Sequence, residues 1–175
     1  MKKFLVTITS ILVIFCTGCA TTSAVKTTMT TELIGNPIPD YAVSVVGRTE
    51  FGDSWYHAAH SGEGFSQTFD IEIINNSNTI GKIVWDNSSI TDSDGTHRIF
   101  LQGMRFIKAG DPISDMIVPP GSKNIKTISS ADSVEWSSLG NCWVLKQMSG
   151  FDFTITICIN TDGKDNYVIN KVHVQ

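Results

Sequence analysis

The chain has 175 residues with 13 basic and 17 acidic side chains, a formal charge of -4, and 41% hydrophobic residues. Beyond Lys2-Lys3 there is no Lys/Arg cluster or basic stripe, which excludes the electrostatic footprint of a nucleic-acid binder and a polybasic membrane-surface patch. What remains is enough chain for one domain with a real core.

Met1-Lys2-Lys3 forms a short positive n-region, and Phe4 to Phe15 an apolar stretch interrupted only by Thr7, Thr9 and Ser10. The stretch is too short and too thinly flanked to span a bilayer as a helix, and it reads as a signal peptide over residues 1–18. Thr17 and Gly18 directly before Cys19 resemble the lipobox of bacterial lipoproteins, with Cys16 standing where Leu is usual. The resemblance implies cleavage before Cys19, a diacylglyceryl group and a further acyl chain such as palmitate on that cysteine, and attachment to a membrane outside the cytoplasm. An ordinary secretory peptide and an uncut anchor are the alternatives. One acyl chain holds only marginally, at about 0.8 kcal/mol per buried methylene, whereas two or three chains on Cys19 anchor stably. Ala20 and Thr21 follow with no Asp, and similarity to lipoprotein sorting in enteric-type bacteria then favours the outer membrane. Cleavage removes two basic residues and no acid, so 11 basic remain against 17 acidic, a formal −6.

From Ala20 to about Asp40 the chain is Thr-rich, with Pro37 and Pro39 near its end and little periodicity. Residues 19–40 therefore read as the lipidated cysteine and a flexible tether, and 41–175 as the folded domain. Beyond the tether, short alternating runs separated by Gly, Asn, Asp and Pro predict an antiparallel all-β domain. Phe69, Ile71 and Ile73 alternate with Asp70 and Glu72, Asn75 to Asn78 make a turn, and Gly81, Ile83 and Trp85 carry one face of the next strand. The run Arg98 to Ile107 is apolar on both parities, with Gly103 marking a bulge or bend. Ala131 to Trp136 offers one helical turn. Phe151, Phe153, Ile155, Ile157 and Ile159 form the cleanest alternation, and after Thr161 to Asp165 the run Tyr167 to Val174 reads as the returning strand of a hairpin. About seven to nine short strands favour an immunoglobulin-like sandwich over a closed barrel.

Four motifs fall in order along the chain: Ile83-Val84-Trp85-Asp86-Asn87-Ser88-Ser89, Asp92-Ser93-Asp94-Gly95-Thr96-His97-Arg98-Ile99, Gly103-Met104-Arg105-Phe106 and Val118-Pro119-Pro120-Gly121-Ser122. Over roughly residues 69–122 they resemble a group of uncharacterised bacterial envelope lipoproteins. The resemblance implies an immunoglobulin-like sandwich on a lipid tether and brings no activity, cofactor or catalytic residue with it.

The chemistry-bearing residues are sparse. His57-Ala58-Ala59-His60 supplies two imidazoles, with Asp53 and Glu63 near in sequence, but no His-Glu-x-x-His pattern, so the stretch reads as a polar loop with a metal site as the weaker alternative. Asp92-Ser93-Asp94-Gly95 resembles the start of a calcium loop but lacks the bidentate Glu, and reads as a hairpin turn. Val118 to Gly121 reads as a tight turn. Ser88 and Ser89 lie in no nucleophile elbow. In an oxidising compartment Cys142 and Cys158 are left. A hairpin turning near Gly150 would set them opposite each other for a cross-strand disulfide, and two free thiols are the alternative. Two function classes follow: a non-catalytic module that binds another envelope component, or a small metal-dependent or other hydrolase using His57 and His60.

Overall fold

A computed structural model of the chain describes residues 29–51, 66–138, 141–145 and 150–174. Cys19, His57 and His60 lie outside the described residues, as do Asp53 and Glu63. The fold is the expected all-β, antiparallel sandwich, with twelve strand segments among the described residues rather than seven to nine.

The strands are β1 (Met29–Gly35), β2 (Tyr41–Phe51), β3 (Ser66–Asn75), β4 (Gly81–Ile83), β5 (Ser89–Thr91), β6 (Thr96–Leu101), β7 (Met116–Val118), β8 (Lys123–Ser130), β9 (Val134–Ser137), β10 (Cys142–Leu145), β11 (Asp152–Thr161) and β12 (Lys164–Val174). The main sheet runs β1-β12-β11-β5-β6-β8-β3-β2, with β4 joined to β11 and β7 to β4, while β9 and β10 form a separate two-stranded ribbon. β6 pairs with β5 in one layer and with β8 in the other, so it is the strand on which the sheet folds over.

The alternation in the sequence becomes the core. Val43 and Val45 on β2, Phe69, Ile71 and Ile73 on β3, and Phe153, Ile155, Ile157 and Ile159 on β11 all point inward and are buried. The rings of Phe69 and Phe153 meet across the two layers with centroids 5.3 Å apart and planes at 58°, a tilted arrangement that suits the ring quadrupoles. Trp85 is buried as expected, but it opens a 3-10 turn, Trp85–Asn87, between β4 and β5 rather than ending a strand. The tightest turn is also as expected. Thr161 pairs with Lys164, and Asp162 and Gly163 take φ of 53° and 79°, the double positive φ of a two-residue hairpin loop whose twist matches its strands.

Several expectations need correction. Met29–Gly35, within the stretch read as tether, is an edge strand paired to β12. Its residues are exposed on both parities, which erases the alternation by which a strand is usually recognised, and only its β-branched Thr content hinted at one. Pro37 and Pro39 accordingly lie in the turn to β2, where Asn36 accepts from the Ile38 amide at 3.0 Å and donates to the Tyr41 carbonyl at 2.7 Å. The apolar run after Arg98 is strand only to Leu101, and Gly103, at φ 95°, bends it toward a 3-10 turn at Phe106–Lys108. Phe151 precedes β11 and is 61% exposed, so it is not part of the buried stripe. Ala131–Ser133 is a 3-10 turn, and the chain from Val134 is strand.

The hairpin proposed for the two cysteines does not form. β10, which carries Cys142, pairs with β9, and β11, which carries Cys158, is occupied on its two sides by β12 and by β4 and β5. Cys158 is a buried free thiol.

Candidate functional site

The strand registers sort the turns to two ends of the sandwich. Met29 pairs with Val174 and Asp152 with His173, so the start of β1 and the end of β12 share one pole with the β5–β6 turn at Asp92–Gly95 and the Ala131–Ser133 turn. The opposite pole collects the β1–β2 turn, residues 76–80, the Pro119–Ser122 turn and the β11–β12 turn.

The second pole is cross-braced by one buried side chain. Asn75 ends β3, and its amide Nδ2 donates to the Thr79 carbonyl and to the Val118 carbonyl, each at 2.9 Å. Its Oδ1 accepts from the Ser77 amide at 2.9 Å and the Ser77 hydroxyl at 2.6 Å. Backbone bonds extend the brace, from the Asn75 amide to the Ser122 carbonyl at 3.0 Å, from the Gly121 amide to the Asn75 carbonyl at 2.8 Å and from the Asn76 amide to the Asp40 carbonyl at 2.7 Å. The Tyr41 hydroxyl donates to the Thr79 carbonyl at 3.3 Å and its ring closes over Gly81, where an added Cβ would lie 2.7 Å from the Tyr41 Cε1 and Cζ. Three loops are thus held rigid, and they present Ile80, 63% exposed, to solvent.

A second polar group lies on the outer face of β11 and β12. Asp165 accepts from Asn160 at 2.6 Å and from Asn87 at 3.0 Å, and these bonds, Asn160's first, hold its carboxyl below the usual range. Beside it the Cys158 thiol is pushed up to about 11, first by burial and then by the Asp165 charge. A thiol so placed stays protonated at neutral pH and is a poor nucleophile. Ser88 is equally occupied: its hydroxyl donates to the Val84 carbonyl at 2.9 Å and accepts from the Cys158 amide at 2.9 Å, tying the Trp85 turn to β11. Lys82 pairs with Asp115 at 2.8 Å, which raises its ammonium's pKa.

The third group was not foreseen in the sequence. His97 on β6 places Nδ1 2.7 Å from Asp132 Oδ2 and Nε2 2.9 Å from Asp92 Oδ1. Asp92 Oδ1 also accepts from the amides of Asp94 and Gly95, at 2.9 and 3.2 Å, which completes the turn expected from the Asp-Ser-Asp-Gly motif. The two carboxylates sit on opposite nitrogens, so three donors do not converge on one point, and among the described residues no group of three or more His, Cys, Asp or Glu side chains is placed to hold a metal. The sequence signal that could have located the group is the Asp five residues before a His across a tight turn. Asp132, thirty-five residues further on, left no such trace.

The Val118-Pro119-Pro120-Gly121 motif is the turn it was read to be, with the Ser122 amide bonding the Pro119 carbonyl at 3.2 Å and Gly121 at φ 67°. No known protein family, curated protein or solved structure matches the chain.

Proposed function

We propose that the chain is an envelope lipoprotein, acylated on Cys19, whose β-sandwich works by binding another envelope component rather than by catalysis. The observation that carries this reading is the arrangement of the two poles. Residues 20–28 alone separate Cys19 from β1, and even fully extended they reach no more than roughly 35 Å. On this reading the tether enters the sandwich at the pole that holds Met29, and the braced loops around Asn75 lie at the opposite pole. Pre-ordered loops at the far end lower the entropic cost of recognising a partner. Among the described residues Ser88 and Asp165 hold turns through their hydrogen bonds, and the Cys158 thiol is protonated.

The test is photo-crosslinking of the acylated protein in native envelope, with the crosslinker at Ile80 or Asp162 at the far pole and, for comparison, at Thr30. Reproducible trapping of the same component from the first two positions and not from Thr30 is expected. A zinc-dependent hydrolase activity that disappears in His57→Ala and His60→Ala, with nothing trapped at the far pole, would replace the binding reading with the enzyme alternative.

A further inference from the structure

We infer that His97 is a proton-operated latch, which holds the Ala131–Ser133 turn and the β9–β10 ribbon against the β5–β6 turn and releases them when the imidazolium loses its proton. The geometry requires the proton. An ionised carboxylate only accepts, and a neutral imidazole has one N–H and one lone pair, so an imidazole with a carboxylate at 2.7 Å on one nitrogen and another at 2.9 Å on the other is favourable on both sides only as the cation. Deprotonation turns one of the two contacts into lone pair against negative charge.

The two sides differ in which can let go. Asp92 is 4% exposed and held by two backbone amides within its own turn, while Asp132 is 72% exposed and hydrates freely once released. The remaining N–H therefore stays with Asp92, and Asp132 swings off. The charged groups on the elements packed here are Asp92 and Asp94 of the β5–β6 turn, Asp132 of the 3-10 turn, Glu135 of β9, Arg98 of β6, and Lys108 and Asp111 at the Phe106–Lys108 turn, which pair with each other at 3.5 Å. The Arg98 guanidinium is engaged by Asp86 at 2.8 Å and the Gly110 carbonyl at 2.6 Å, so the two carboxylates on the ring itself, Asp132 and Asp92, are the charges that favour the cation. The bond from Asp132, followed by that from Asp92, raises the His97 pKa above the ordinary 6.5 against the opposing effect of burial.

Release has somewhere to act. The Ala131–Ser133 turn leads directly into β9, and β9 and β10 pair only with each other. A two-stranded ribbon is marginal by itself and depends on what fixes its base. Its base is fixed by Ser130, which pairs with Ile99 in the β6–β8 ladder, by the Asp132 amide on the Ser130 hydroxyl at 3.2 Å and by the latch, while Glu135 and Trp136 of β9 make further contacts; of the three ties at the base the latch is the one that a proton operates. The sign follows from a raised folded-state pKa: the latch contributes fully below the ordinary histidine value and is lost as pH rises through the raised one.

Amide hydrogen exchange by NMR in the full chain, corrected for intrinsic rates and followed alongside the His97 ring shifts, tests this. As His97 deprotonates, residues 134–137 and 142–145 are expected to lose protection several-fold while β11 and β12 keep theirs. In Asp132→Asn, a change at an exposed position that leaves the core intact, the His97 pKa falls and the ribbon's protection no longer follows pH. Asp152→Asn, which removes the partner of His173 at 2.8 Å, leaves the ribbon's response unchanged. Ribbon protection that stays flat through the His97 titration, or that follows pH equally in Asp132→Asn, overturns the latch.

Discussion

Truncation of Trp85 to alanine is expected to lower the free energy of unfolding by about 3–5 kcal/mol, the range for removing a large aromatic from a packed core. Trp85 is buried at the point where β4 hands over to β5, and the turn it begins is fixed to β11 through Ser88. The indole therefore fills the core and sets the register by which β5 joins β11. Its loss leaves a cavity that the surrounding Ile side chains, themselves fully buried, cannot close. Equilibrium unfolding in urea should show a lower midpoint at unchanged slope. A midpoint within experimental error of the parent would mean that the site collapses without penalty and that Trp85 does not organise the core.

Asn75→Ala is expected to destabilise by about 2–4 kcal/mol, because it strips a buried carbonyl, that of Val118, of its partner and removes the acceptor for the Ser77 amide. The effect should be local as well as global. Amide exchange in residues 76–80 and 119–122 should accelerate more than in β11 or β12, since Asn75 bridges the first two loops and only indirectly touches the hairpin. Uniform acceleration across all strands would show that the brace is ordinary core and not a device for ordering the far pole. If the proposed binding role is right, the same variant should lose crosslinking from Ile80 while remaining folded below its lowered midpoint.

The fold was legible where one face of a strand is buried and the other wet. β3 from Phe69 to Asn75 and β11 from Asp152 to Ile157 satisfy that condition, and Phe69-Asp70-Ile71-Glu72-Ile73 could be read directly as an inward and outward alternation. The condition fails at β1, where Leu33 and Ile34 are both exposed, so the strand was absorbed into the tether. β9 and β10 are short and paired off the main sheet. Without them the path from Ala131 to Phe151 could only be guessed, and the guess of a hairpin bringing Cys142 to Cys158 went with it.

The polar groups were legible only as turns. Asp92-Ser93-Asp94-Gly95 and Val118-Pro119-Pro120-Gly121 follow local rules of dihedral preference and short-range bonding, which a sequence displays. The Asn75 brace and the His97 latch depend on partners 43 and 35 residues away, set by strand order rather than by spacing. Asn75 in particular looked like one of four consecutive turn residues, and nothing in its neighbours marks it as the one that is buried.

Mass spectrometry of the N-terminal peptide from protein extracted out of its native host tests most directly the proposal that the domain hangs from a membrane by lipid on Cys19. The expected mature chain begins at Cys19 and carries a diacylglyceryl group with at least one further acyl chain. An unmodified Cys19, or a chain cut at another residue, would contradict it.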